Sequence, residues 1–181
     1  MAKLIFGMMQ SLDGYIAGIP GGPQLPPPGA ELHQYFNDHV HELAGILYGR
    51  LMYEVMRYWD DDKPDWEEIE HDFASAWRSK PKWIVSRSLR SVGPNATLVK
   101  DNVELFVKRL KAQLDGQIDV AGPNLAGSLS APGIIDEYHL YFRPFVLGEG
   151  KPYFAAARPQ LRLVETLPVG EDAVRLTYVP V

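Results

Sequence analysis

The sequence predicts an α/β protein: a three-layer α/β/α fold whose central sheet is mostly parallel and ends in antiparallel strands near the C-terminus. Up to Gly133, short apolar runs alternate with segments of helical periodicity, which is typical of βα units around a parallel sheet. Beyond that point, extended segments follow one another over short connections, as antiparallel strands do. No linker or internal repeat interrupts this order, so residues 1–181 are predicted to form a single domain.

The alternating part begins with AKLIFGMM, residues 2–9, whose near-continuous apolar character is that of a buried central strand. The turn SLDGYIAG and the loop GIPGGPQLPPPG follow. This loop is too rich in Pro and Gly for a helix and too long for a simple connection, and such loops often cover binding sites. A helix is predicted at residues 31–43, because apolar side chains recur there three and four positions apart.

The remaining elements are predicted from the same patterns. Strand-length apolar runs are GILYG, KWIVSRSL, ATLVKD and QIDVAG. Helices are predicted for RLMYEVMRYW, DDDKPDWEEIEHDFASAWRSK and DNVELFVKRLKAQLDG. Pro123 then opens a helix, because its fixed φ and missing N–H suit the first helical position. The late extended segments are DEYHLYFRPFV, LGEGKPYF, PQLRLVETLP and AVRLTYVPV.

The composition excludes several classes of function. The chain has 181 residues, 46% of them hydrophobic, which is enough for a substantial core. It has no cysteine, which excludes disulfides and Cys-ligated zinc and fits a reducing compartment, so we expect a cytoplasmic protein. The net charge of −5 argues against a nucleic-acid partner. Apolar segments are too short to span a bilayer, and the N-terminal run is interpreted as a strand rather than a signal peptide.

Three predicted strands end in residues that suit anions. GILYG runs into Arg50, KWIV runs into Ser86 and Arg87, and QIDVAG runs into the helix that Pro123 opens. Because the carboxyl ends of parallel strands lie along one edge of a sheet, these groups are expected to be neighbours. Two guanidinium groups and the free N–H groups of residues 124–126 suit a polyphosphorylated ligand such as a dinucleotide.

Each of these signals also has a simpler explanation. An Arg after a strand is usually a solvated charge, and Gly-Pro-Asn is common at ordinary strand-to-helix junctions. Gly122 and Gly127 have the spacing of a P-loop, but the Lys-Ser/Thr pair that a P-loop needs next is missing, and there is no GxGxxG. Neither a Walker nor a Rossmann site is predicted, so the hypothesis depends on the three strand ends together.

The motifs MAKLIFGMMQSLDGYIAG, YGRLMYE, VSRSL and VAGPNLAGSLSAPGIIDEYHLYFRPFVLGEGKPYF together resemble the dihydrofolate-reductase-like superfamily. The resembling branch is the C-terminal reductase domain of the bacterial riboflavin-biosynthesis deaminase/reductase, and the likeness spans nearly the whole chain. It implies a dihydrofolate-reductase-like fold, NADPH as cofactor, a homodimer, and hydride transfer to a small heterocyclic or ribosylated substrate. The best-defined activity of that branch is the 5-amino-6-(5-phosphoribosylamino)uracil reductase step of riboflavin biosynthesis.

The resemblance also implies where the cofactor binds. Residues 49–50 would meet its phosphates, residues 86–87 its adenosine phosphate and residues 122–125 its pyrophosphate. The full implied set is Met9, Ile16, Ala17, Gly49, Arg50, Ser86, Arg87, Ala121, Gly122, Pro123, Asn124 and Leu125. Two departures predict fewer phosphate contacts. Ala121 stands where family members often have Gly, and Met52 stands where dihydrofolate reductases proper carry a polar residue.

Few side chains are expected to act in the chemistry itself, because the cofactor carries the reactive hydride. Asp13 matches the Ser-Leu-Asp-Gly of the family and is predicted to contact the substrate, although Asp-Gly is also a common turn pair. Glu31 lies near the position where dihydrofolate reductases carry a pterin-binding carboxylate. A Glu in a first helical turn is also what the helix dipole favours, so that alternative stays open.

Metal binding is not predicted. The five histidines show no ligand spacing, and His39 and His41 point to different faces of a helix. The acidic run at residues 60–62 is interpreted as a solvated helix entry, the four tryptophans as core or interface, and Arg143 as an edge charge.

Two other functions stay open. One is a nucleotide-binding module without turnover, in which Tyr15, Met9 or the Pro-rich loop fills the nicotinamide pocket. The other is dihydrofolate reductase activity proper.

Overall fold

The computed structural model describes residues 1–155 and 157–181. The strands are β1 Lys3–Gln10, β2 Tyr15–Ala17, β3 Gly45–Gly49, β4 Lys82–Val85, β5 Ala96–Val99, β6 Gln117–Ala121, β7 Glu137–Phe142, β8 Lys151–Pro152, β9 Leu161–Val169 and β10 Ala173–Pro180. The helices are α1 Ala30–Glu42, α2 Arg50–Met56, α3 Glu68–Ser79, α4 Val103–Gln113 and α5 Pro123–Ser130, and a 3-10 turn covers Arg57–Trp59.

Eight strands form the main sheet in the order β5-β4-β3-β6-β1-β7-β10-β9. The strands from β5 to β7 are parallel, and β10 is antiparallel to both of its neighbours. Strands β2 and β8 form a separate two-stranded ribbon. The predicted α/β fold, with a mostly parallel sheet and antiparallel C-terminal strands, is confirmed.

The two faces of the sheet carry different parts of the core, which creates the three layers. On one face, Leu4 and Phe6 of β1 pack with Val107 of α4 and Leu129 of α5. On the other face, α1 and α3 contribute a second cluster with strands β3 and β4, centred on the buried Trp77. Because successive side chains of a strand point to opposite faces, the apolar run of β1 supplies both layers.

The boundaries of α3 and β4 differ from the prediction. Helix α3 begins at Glu68, because the side chain of Glu67 and that of Glu70 form a capping box there. The acidic run at 60–62 lies before that cap, where Asp62 pairs with Arg78 at 2.6 Å. Strand β4 ends at Val85 because the Oγ of Ser86 accepts the N–H groups of residues 88 and 89 and turns the chain.

Arg143 is not an edge charge, which corrects the expectation from the sequence. Its side chain is 3% exposed and donates to the carbonyl oxygen of Pro26 at 2.5 Å and to the carboxylate of Asp172 at 3.0 Å. It therefore ties the Pro-rich loop to the turn between β9 and β10. In the same turn, the carboxylate of Glu171 accepts the N–H groups of Glu31 and Leu32 at the start of α1.

Candidate functional site

A groove of about 420 Å³ runs along the carboxyl ends of β3 and β6. These strands are neighbours, with Tyr48 opposite Ala121, so their last residues end side by side at the edge where ligands bind to such sheets. Eight predicted cofactor-binding residues line the groove: Ile16, Ala17, Gly49, Arg50, Gly122, Pro123, Asn124 and Leu125. Met8, Leu51, Met52, Val55 and Lys151 complete the lining.

The turn from β6 into α5 depends on Gly122. Its φ of +107° lies in a region that other residues rarely adopt, and a Cβ added there would meet that of Met52 at 3.7 Å, an ordinary contact. The backbone angle, rather than crowding, therefore requires glycine. The carbonyl oxygen of Gly122 accepts the N–H of Ala126. Contrary to the prediction, this N–H is therefore not free to bind an anion. The N–H groups of Asn124 and Leu125 precede that first helical bond and stay available for an anion.

Two cations flank the groove. Arg50 donates two hydrogen bonds to the Glu54 carboxylate, at 3.0 and 3.1 Å, and both side chains are more than 40% exposed. Because exposed ion pairs contribute only about 0–1 kcal/mol, Arg50 can exchange Glu54 for a phosphate at little cost. Lys151 of β8 lines the groove as well, and sequence reasoning missed it because only the tertiary fold brings β8 to this edge.

Ser86 and Arg87 lie in a second cavity, the basic pocket, of about 830 Å³. It adjoins the groove along the same edge, because Val85 of β4 stands opposite Gly49 of β3. The other cations of the basic pocket are Lys100 and Lys108, which sequence reasoning did not single out. Arg87 is exposed, whereas Ser86 is buried and its Oγ accepts the N–H groups of its own turn.

A third cavity, the chamber, has a volume of about 300 Å³ and lies between α1 and the sheet. Its walls are largely apolar and aromatic: Pro28, Phe36, Trp59, Trp77 and Tyr141 are among its lining residues. Met8 and Met52 line both the chamber and the groove, so the two cavities are neighbours across these side chains. Met9 and Ala121, predicted to bind the cofactor, line the chamber instead of the groove.

The chamber also contains buried polar side chains that sequence reasoning missed. His39 of α1 approaches Asp119 of β6, with 2.8 Å between Nε2 and Oδ2. Burial lowers the pKa of His39, but the charge and the hydrogen bond of Asp119 outweigh burial, so its pKa is raised. Burial dominates at His139 and lowers its pKa, although its Nε2 contacts Glu137 at 3.0 Å. For these buried polar side chains, the sequence offered one signal, the acidic Asp119 inside the otherwise apolar strand QIDVA.

Neither predicted catalytic carboxylate lies in the groove or the chamber. The exposed Asp13 accepts the N–H of Leu147 at 3.1 Å and that of Gly148 at 2.7 Å, and so fixes the loop after β7. A hydrogen bond with Ser11 and these two N–H groups lower the pKa of Asp13. Glu31 is exposed at the start of α1, where its backbone N–H donates to Glu171. The Asp13 carboxylate therefore has a local structural task, whereas Glu31 contributes a backbone contact, and their roles toward substrate stay predictions.

Among residues 1–155 and 157–181, no three His, Asp or Glu side chains are grouped closely enough to hold a metal ion. In that same part of the chain, no helix combines the length and the apolar character that crossing a bilayer requires.

Sequence comparison finds a family and a relative for this chain. The profile of the RibD C-terminal domain matches residues 2–175. YyaP of Bacillus subtilis (strain 168), itself described as uncharacterized, is 27% identical over 179 residues, which are 97% of this chain and 94% of that protein.

Solved structures share the fold. A proposed riboflavin biosynthesis protein from Shewanella sp. PV-4 superposes with a TM-score of 0.75 at 22% identity, over 99% of both chains. Dihydrofolate reductase from Enterococcus faecalis, solved in complex with NADP(H), has a TM-score of 0.67 at 13% identity, over 98% of this chain and 96% of that one. At these identities, the comparisons establish a common architecture.

Proposed function

Because the chain belongs to the RibD C-terminal domain family, we propose that it is a reductase that uses NADPH to reduce a small heterocyclic substrate. One observation carries the proposal: the groove at the carboxyl ends of β3 and β6 adjoins an apolar chamber across Met8 and Met52. A hydride transfer needs two rings held next to each other and shielded from water. Two neighbouring cavities of this kind supply that arrangement.

The residues present fit NADPH. The helix start at Asn124 and Leu125, together with Arg50 and Lys151, offers N–H groups and positive charge for a pyrophosphate. The basic pocket offers Arg87 for a terminal phosphate, the group that distinguishes NADPH from NADH. When bound, the cofactor supplies the hydride. The chain would hold its phosphates, border its nicotinamide with residues 16–17 and exclude water with the walls of the chamber.

The lining of the chamber bears on the substrate. Among the described residues that line it there is no Lys or Arg. A phosphoribosyl group would find no Lys or Arg there, so an unphosphorylated heterocycle fits better than 5-amino-6-(5-phosphoribosylamino)uracil. That pyrimidine is nevertheless the first ribosylated substrate to assay, because the family match points to it.

The open chamber disfavours a binding module without turnover. That alternative required the nicotinamide pocket to be filled by Tyr15, Met9 or the Pro-rich loop. Met9 and Pro28 instead line a cavity of about 300 Å³, and space for a ring remains beside the groove. Dihydrofolate reductase activity proper is less favoured, because Glu31, the candidate for the pterin-binding carboxylate, lies outside the chamber. Dihydrofolate is therefore a further substrate to assay.

The test of the proposal is a titration of the purified protein with NADPH and with NADH, followed by tryptophan fluorescence. We expect the protein to prefer NADPH, and Arg87→Ala to weaken NADPH binding about 10- to 100-fold, because charge-assisted hydrogen bonds contribute about 1.5–3 kcal/mol. Binding of NADH should change little.

The matched control is Arg90→Ala, which removes an exposed Arg of the same segment that does not line the basic pocket. Equal loss of NADPH affinity in both variants would reject the assignment of Arg87. Absence of binding of either nucleotide to the wild-type protein at millimolar concentration would reject the cofactor.

A further inference from the structure

The floor of the chamber carries a carboxylate on an otherwise apolar strand. Asp119 of β6 lies between Ile118 and Val120, both 0% exposed. Its Oδ2 contacts His39, whereas its Oδ1 is buried and has no hydrogen-bond partner among the described residues. Leaving a buried acceptor unsatisfied costs free energy. A bound donor at this oxygen would remove that cost.

His39 sets the orientation of this carboxylate. It projects from α1 and lines both the chamber and a fourth cavity, the side pocket, of about 500 Å³. The charged groups around His39 are Asp119 on β6, Arg175 on β10 and Glu42 on α1, and the side pocket adds Asp38, Glu137 and Glu165. The hydrogen bond of 2.8 Å holds Oδ2 of Asp119 and leaves Oδ1 as the oxygen without a partner among the described residues.

A second acceptor lies nearby in the same floor. His139 of β7 is 5% exposed, its Nε2 contacts Glu137, and its Nδ1 is buried without a partner in the described part of the chain. Because the Glu137 carboxylate can only accept, Nε2 carries the hydrogen of the neutral ring and Nδ1 is an acceptor. Strand β1 separates His139 from Asp119, and its Gly7, opposite His139, has no side chain to divide the floor.

We propose that the chamber binds a flat ring that carries N–H donors, with Oδ1 of Asp119 as the anchor and His39 as the residue that positions it. Aromatic side chains from Phe36, Trp59 and Tyr141 line the walls and suit a planar ligand. This inference rests on the proposed function in one respect: the reductase activity would make the bound ring the substrate. The binding itself needs no cofactor, so it can be tested alone.

The test uses two small probes with the same ring. Benzamidine carries N–H donors, and benzoate carries only acceptors. In calorimetric titrations without nucleotide, we expect benzamidine to bind the wild-type protein and benzoate not to bind. We expect Asp119→Asn to weaken benzamidine binding by about tenfold or more, because the variant replaces a charged acceptor by a neutral one. The matched control is Asp65→Asn, an exposed acid that lines neither the chamber nor the side pocket, which should keep the affinity.

The positioning role of His39 has its own signature. Protonated His39 and the benzamidine cation compete for one carboxylate, so binding to the wild-type protein should tighten as pH rises through the pKa of His39. In His39→Gln this pH dependence should vanish. NMR shifts of the His139 and Trp59 resonances would place the probe in the chamber.

Equal binding of benzoate and benzamidine, or unchanged benzamidine affinity in a folded Asp119→Asn protein, would overturn the inference. If Asp119→Asn does not fold, the comparison of the two probes on the wild-type protein still decides. If the protein binds benzamidine but not NADPH, only the proposal of NADPH as cofactor is rejected. If it binds NADPH but not benzamidine, only the proposed ring site is rejected.

Discussion

Single residues in this protein take their roles from what the fold places around them. Asp13, a predicted site residue, has a structural contact, and Arg143, a predicted surface charge, is buried. Asp13, which was predicted to contact substrate, accepts two backbone N–H groups at an exposed turn, and its role toward substrate stays a prediction. Arg143 was expected to be an edge charge and is instead a buried link between the Pro-rich loop and Asp172. The groups that Asp13 and Arg143 contact lie far from them in sequence, so the local sequence pattern could not predict these contacts.

The His39–Asp119 pair should make stability depend on pH. Because the pKa of His39 is raised in the folded state, its stabilising contribution is complete below its unfolded pKa of about 6.5 and is lost as pH rises through the folded pKa. We expect the free energy of unfolding of the wild-type protein to fall relative to that of His39→Gln as pH rises above about 6.5 and through the higher folded pKa, by about 1.4 kcal/mol for each unit of pKa difference. Urea unfolding at several pH values measures it.

Asp119→Asn is the control for this prediction, since it removes the partner and keeps the histidine. Its stability should follow the pH profile of His39→Gln, and NMR titration should show a lower pKa of His39 than in the wild-type protein. A wild-type profile that runs parallel to that of His39→Gln would show that the pair does not contribute.

At the scale of elements, the Pro-rich loop is positioned by a distant strand. Arg143, just after β7, donates to the carbonyl oxygens of Pro26 and Pro27, and Pro28 lines the chamber. The composition of the loop predicted a rigid cover. The residue that holds it lies more than a hundred positions away and could not be identified from the loop itself.

We expect Arg143→Gln to release this loop and to lower the free energy of unfolding by about 1–3 kcal/mol, because a buried charged donor is lost and Asp172 keeps its charge. Limited proteolysis should cut the segment 18–29 faster than in the wild-type protein, and urea unfolding measures the stability change. Arg162→Gln, on the exposed strand β9, is the control and should change neither quantity. Unchanged cleavage in Arg143→Gln would mean that the prolines alone hold the loop.

At the scale of the whole molecule, the sheet ends in an open edge. Strand β9 is the last strand of the order and pairs within the sheet with β10. Its residues Leu163, Val164 and Leu167 are 47%, 46% and 38% exposed. Long apolar edge strands tend to pair with another chain. We propose that this edge forms the homodimer that the family resemblance implies.

A double substitution tests the dimer. Leu163→Lys with Leu167→Lys places charge on the edge strand and should convert a dimer into a monomer, measured by size-exclusion chromatography with light scattering. Val146→Lys, at a loop residue that is 68% exposed, should leave the dimer intact. A wild-type protein that is monomeric at high micromolar concentration would reject the proposal.

The sequence by itself determined the layered fold and the position of the groove. Apolar runs of strand length and helical periodicity are local signals, and the carboxyl ends of parallel strands must share an edge. Six predicted cofactor residues at these strand ends, Gly49, Arg50 and residues 122–125, therefore line one groove, and Ile16 and Ala17, which the family resemblance implied, line it as well. Their role in binding NADPH stays a prediction.

Only the tertiary structure decided what the chamber contains. Asp119, His39 and His139 come from β6, α1 and β7, and they meet because strand β1 lies between β6 and β7 and α1 packs over that face. No local pattern encodes such a meeting, since the pKa of His39 and the unsatisfied oxygen of Asp119 depend on burial and on partners distant in sequence. Local propensity shapes the elements, whereas the chemistry of this site arises from their packing.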